Sequence, residues 1–135
     1  MNDFYFRKLD AYKLSMELMD KVYTLNNKFP SYETNALSDQ LRRSVSSIPS
    51  NIAEGTGRFS IKERIHFLDI SYGSLMEVLC QIEIAHRQQY ISADEFNSID
   101  DLAARVARTI YGLKKSLKEK LDKQQSITLS EEGQG

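Results

Sequence analysis

SIKERIHFLDISYGSLMEVLCQIEIAHRQ, Ser60–Gln88, is the stretch that decides the fold class. Ile61, Ile65, Leu68, Tyr72, Leu75, Leu79, Ile82 and His86 recur within it at alternating spacings of four and three. That period belongs to a helix with one apolar stripe. The segment opens on Ser60-Ile61-Lys62-Glu63, a capping box in which each side chain satisfies a backbone donor of the first turn.

The flanking segments follow the same rule. Upstream, a helix is predicted from about Leu9 to Lys28, with Ala11, Ser15, Leu18, Val22, Leu25 and Phe29 in register. Phe29-Pro30 ends it, because the residue before a proline is pushed out of helical geometry. A second helix is predicted from about Glu33 to Glu54, striped by Leu37, Leu41, Val45, Ile48 and Ile52. Pro49 inside it removes one backbone hydrogen bond and predicts a kink. Gly55-Thr56-Gly57 supplies the stop. Downstream, Ser92-Ala93-Asp94-Glu95 is another capping box. It starts a helix striped by Phe96, Ile99, Ala103, Val106, Ile110, Leu113 and Leu117 that frays near Lys123.

Four such helices joined by short connections predict an all-α fold, an antiparallel up-down four-helix bundle. No β-type alternation and no internal repeat interrupts it. Residues 1–123 form the expected bundle domain, and residues 124–135, polar with two glycines, an expected disordered tail. With 135 residues and 41% hydrophobic composition, the chain can bury one core without metal or disulfide. The third and fourth helices look longer than the others, leaving apolar surface for self-association or a partner.

Charge is balanced overall at −1, but not along the chain. Residues 94–101 carry Asp94, Glu95, Asp100 and Asp101 and no base. Residues 105–123 carry Arg105, Arg108, Lys114, Lys115, Lys118, Lys120 and Lys123 against Glu119 and Asp122. The plain reading is a helix whose charges complement its dipole. The alternative is a basic surface for RNA or DNA, which repetition in a symmetric assembly would concentrate. No apolar run is long enough to span a bilayer, and the first residues do not have the order of a signal peptide. A cytoplasmic location with no membrane partner is the expectation.

On the second helix Gln40, Arg43, Ser47, Asn51 and Glu54 form a polar strip flanking the apolar seam. It reads either as a solvated face or as a helix–helix or subunit boundary. In the second case Arg43, Asn51 and Glu54 would meet Ser74 and Glu77 of the third helix.

Candidate chemistry is sparse. Glu63…His66 and Glu83…His86 both lie on the third helix, about 30 Å apart, whereas di-iron bundles take such pairs from two helices. Metal and cofactor are therefore not expected. Cys80 has no neighbouring His in the sequence and reads as packing. Gly55-Thr56-Gly57-Arg58 lacks the phosphate-loop pattern, though the amides before the third helix, with Arg58 near, could hold an anion.

Several segments together carry a resemblance: Phe29-Pro30, Gln40-Leu41-Arg42-Arg43-Ser44, the run from Ser47 through Asn51-Ile52-Ala53-Glu54-Gly55-Thr56-Gly57-Arg58, Phe67 through Gly73-Ser74 to Glu77, and Tyr90-Ile91. The chain resembles the bacterial four-helix-bundle family encoded in intervening sequences of 23S rRNA genes, over roughly residues 6–118. The resemblance implies a homopentamer. It also implies kinship with an accessory protein of diversity-generating retroelements that binds nucleic acid and works with a reverse transcriptase. Ser44 and Ser71 depart from it, standing where the family usually has small apolar residues. The resulting expectation is a non-enzymatic, self-associating bundle that binds nucleic acid, with Arg105, Arg108, Lys114, Lys115 and Lys118 on the phosphates and the polar strip setting assembly. A protein–protein interaction module without nucleic acid is the alternative.

Overall fold

The computed structural model describes residues 1–134, with side-chain surroundings as far as Gly133. Four helices follow in order: α1 Asp10–Asn26, α2 Leu37–Thr56, α3 Ile61–Arg87 and α4 Ala93–Gln134. Short 3-10 turns cover Tyr5–Lys8 and Ser31–Glu33. Each helix packs chiefly on two others, in the cyclic order α1, α2, α3, α4. The short linkers make sequence neighbours antiparallel, which produces the up-down bundle.

The caps explain where the helices begin. Ser60 Oγ accepts from Glu63 N at 3.0 Å to start α3. At α4 the exchange is reciprocal: Glu95 N donates to Ser92 Oγ at 3.1 Å and Ser92 N to Glu95 Oε1 at 2.9 Å. α3 ends in a motif the sequence does not announce. Gln89 adopts φ 65, Tyr90 N donates to Ala85 O at 2.9 Å and Gln89 N to His86 O at 3.0 Å. This is the Schellman arrangement, with glutamine where glycine is usual.

α2 runs through Pro49 without ending. Its serines are reconciled with helical backbone by bonding backwards: Ser44, Ser46 and Ser50 donate to the carbonyls of Gln40, Arg42 and Ser46, each at 2.8 Å.

The core is built from the stripes on α1, α2 and α4. Ala11, Leu18, Val22, Leu41, Val45, Ile48, Ile52, Ile99, Ala103, Val106 and Ile110 are all buried. On α3 the expectation needs correcting. Tyr72 stands exposed and His86 and Leu79 are half-buried, while Ser71, Ser74, Val78 and Ala85 are buried beside Leu68, Leu75 and Ile82. α3 is rotated toward α2 because its small side chains let the two helices approach. Gly55 on α2 serves the same contact: a Cβ there would lie 3.1 Å from Phe67 Cβ.

α4 continues as helix to Gln134, through most of the stretch expected to form a disordered tail. Gly135 lies outside the described residues. Side chains from Asp122 to Gly133 are all exposed, so this arm stands clear of the bundle. No helix among the described residues is long and apolar enough to cross a membrane.

Candidate nucleic-acid interface

α4 positions the cationic candidates, but not on one face. Arg105 and Arg108 are exposed and line a groove against α1, where Asp10 and Glu17 face them alongside Lys13. Lys114 turns toward α3 and bridges Asp69 at 2.6 Å. Lys115 and Lys118 are exposed on the stretch of α4 near the end of the bundle and make no ion pair among the described residues. The five bases therefore divide into a groove pair, a neutralised clamp and an open pair.

Arg108 and Lys114 also border the groove between α3 and α4. It holds about 580 Å³ and is lined by Asp69, Tyr72, Arg108, Ile110, Tyr111 and Lys114. The helical rotation that takes Tyr72 out of the core puts it here, 43% exposed, across from Tyr111, 67% exposed.

The polar strip splits as well. Ser47 and Ser74 hydroxyls meet at 2.9 Å across the α2–α3 contact. Asn51 Nδ2 donates to Ser47 O at 2.8 Å and Ser47 Oγ at 2.9 Å. Arg43 pairs with Asp39 at 3.1 Å and Glu54 with Arg58 at 2.7 Å, both within or just past α2. Gln40 and Glu77 are exposed. The structure adds members that the strip did not include. Ser44 Oγ, which bonds back to Gln40 O, also lies 2.5 Å from Gln81 Oε1 and shares its one proton between the two oxygens, and the fully buried Ser71 Oγ donates to Ile48 O at 3.0 Å. A signal existed: Ser71, Ser74, Val78, Gln81 and Ala85 follow a second three-four spacing beside the large apolar one.

With this geometry in view, the model of the 23S rRNA-intervening sequence protein family matches residues 7–112. The chain belongs to that family. A solved helical structure from Bacteroides thetaiotaomicron, described as a protein of unknown function from the S23 ribosomal protein family, superposes with TM-score 0.71. It is 23% identical, covering 78% of this chain and 98% of the other, so it speaks to the fold alone. No curated protein matches.

Within this 23S rRNA-intervening sequence family member, the motif from Asn51 to Arg58 becomes the last turn of α2 and its exit. Gly57 N and Arg58 N close that turn on Glu54 O and Gly55 O at 3.0 and 3.2 Å. Arg58 is committed to local contacts. It pairs with Glu54, lies 4.7 Å over the Phe67 ring, and its carbonyl accepts from Arg64 Nε at 2.8 Å. The hydroxyls of Ser44 and Ser71 both reach across the α2–α3 contact.

The histidines are engaged by aromatic rings. His66 meets Phe67 edge-on at 5.7 Å and His86 stacks on Phe96 at 4.8 Å. No group of three His, Cys, Asp or Glu side chains converges among the described residues. Cys80 is exposed rather than packed, because α3 turns that position outward.

At the opposite end of the bundle, Tyr90 accumulates polar neighbours. Its hydroxyl lies 3.0 Å from that of Tyr32 and 3.2 Å from Glu33 Oε2. The Tyr32 hydrogen bond first, then desolvation and Glu33, push its phenol well above the ordinary range. Glu95 is shifted the other way. The Lys28 side chain first, then the Ser92 backbone N–H, hold its carboxyl below the ordinary value.

Proposed function

We propose that this chain is a non-enzymatic helical bundle that assembles with copies of itself, as a pentamer, in the cytoplasm and serves as an accessory factor binding nucleic acid. The observation that carries the binding is the basic stretch of α4 from Arg105 to Lys123, where Lys115 and Lys118 are exposed without an ion pair among the described residues and Arg105 and Arg108 are exposed beside α1. Bases so placed bind phosphates without sequence preference, by releasing condensed counterions. Assembly is supported by the outer side of α3, where Ile70, Met76 and Ile84 stand 38, 39 and 42% exposed. A family resemblance is the source of the number five.

A fluorescence-anisotropy titration with RNA and DNA strands from low to moderate salt tests the binding. Log affinity should fall linearly with log salt, and replacing Lys115 and Lys118 together by alanine should flatten the slope by about 1.4 for a single strand. Absence of binding even at low salt refutes it. Light scattering at micromolar concentration tests assembly, and a monomer there refutes that part. The same exposed apolar side chains of α3 favour a second reading, a protein-interaction module without nucleic acid. A partner retained in a pull-down after nuclease treatment would select it.

A further inference from the structure

The groove between α3 and α4 combines features that a phosphate-binding patch does not need. Two tyrosines from different helices face the same space, Tyr72 from α3 and Tyr111 from α4, and both keep much of their ring surface open. Ile110, itself buried, adds apolar surface to the lining. The volume, about 580 Å³, lies within the general size range of ligand clefts.

The cations place the rest. Arg108 lines the groove and makes no ion pair among the described residues. Lys114 lines it too, with its charge answered by Asp69 at 2.6 Å. Lys115 and Lys118 continue along α4. Aromatic faces inside a groove and bases along its border are the two components by which proteins hold single strands: rings stack on bases and cations follow the backbone. A duplex keeps its bases stacked on one another and offers the tyrosines nothing. A protein segment would also cover apolar surface, but it gives no use to the bases, Arg108, Lys115 and Lys118, that make no ion pair among the described residues.

We infer that the α3–α4 groove is a single-strand site, in which Tyr72 and Tyr111 stack nucleobases while Arg108, Lys115 and Lys118 hold the flanking phosphates. This rests on the nucleic-acid reading above and adds the strand state and the recognition mode. Asp69 limits the anion affinity by occupying Lys114, so D69N should tighten binding several-fold through charge alone.

The test uses the full chain and three DNA probes of one length: a single strand of mixed sequence, the same strand made abasic, and the duplex. The intact strand should bind more tightly than the other two, and its binding should quench tyrosine fluorescence, which the chain emits without interference because it has no tryptophan. Tyr72→Leu and Tyr111→Leu should each weaken the intact strand by about 5- to 150-fold, the loss of one stacked base, and leave the abasic strand unchanged. Equal binding of intact and abasic strands, without quenching, overturns the stacking site while the phosphate-binding reading stands. Failure of all three probes at low salt overturns both. If either leucine variant is unfolded by circular dichroism, the quenching comparison on the unaltered chain decides alone. Leucine variants that keep strand binding but lose a nuclease-resistant protein partner overturn the inference in favour of protein docking.

Discussion

Two single residues carry opposite lessons about backbone freedom. Gln89 closes α3 with φ 65, a conformation in which any side chain with a Cβ pays steric strain. Glycine removes that cost, so Gln89→Gly should raise stability by about 1 kcal/mol in urea unfolding, with the gain confined to the midpoint and the slope unchanged. Gly55 is the reverse case. It faces α3 so closely that a Cβ would lie 3.1 Å from Phe67 Cβ and 3.5 Å from Arg64 O. Those atoms belong to or adjoin the α3 backbone and cannot swing aside. Gly55→Val should therefore destabilise by about 1–3 kcal/mol, measured the same way, because the added methyls force the helices apart. Of these two positions only Gly55 stood out in the sequence, and there as part of a helix stop. Its actual use, close helix contact, depends on Phe67, which no local pattern connects to it.

At the scale of elements, capping and pairing at the start of α4 make stability depend on pH. Glu95 bonds the Ser92 N–H and pairs with Lys28 of the loop after α1. Its carboxyl is held below the ordinary 4.5 in the folded chain, so the stabilisation is fully present above that value and is lost as pH falls through the lower folded one. The difference in Tm between the native chain and Glu95→Gln should be constant from neutral pH down to about 5 and shrink as the pH falls further and Glu95 protonates in the folded chain. A gap that does not change with acidification would mean the carboxylate charge contributes nothing. This element was legible: Ser92 and Glu95 three residues apart, just before an apolar stripe, sufficed. Lys28 as its partner was not legible, since the pair spans the length of the bundle in sequence and meets only because α1 ends where α4 begins.

The whole molecule shows how far helical structure can outrun the core. α3 has 27 residues and α4 has 42, so at 1.5 Å per residue α4 extends about 20 Å beyond what α3 can cover. Side chains from Asp122 to Gly133 are exposed and bury nothing in the bundle. Removing residues 124–135 should therefore shift Tm by less than about 2 °C, as expected for changes that touch no packed group. A larger drop would show that the arm is held against another chain, and the same truncation in light scattering would then lower the mass.

Sequence alone determined the number of helices, their order, the caps at Ser60 and Ser92 and the buried stripes of α1, α2 and α4, because each follows from spacing within one segment or a few adjacent residues. Tertiary structure decided the rotation of α3. Two stripes at helical spacing compete there, one of large apolar residues through Tyr72 and Leu79, the other of small ones through Ser71, Ser74, Val78 and Ala85. Periodicity favours the larger. Packing favours the smaller, since Ser71 and Ser74 can hydrogen-bond α2 at close range and a tyrosine ring cannot fit there. The same rotation brings Tyr72 to Tyr111 and Asp69 to Lys114. The groove is thus a consequence of how two helices turn about their axes, which is fixed by what they touch and not by the pattern either carries.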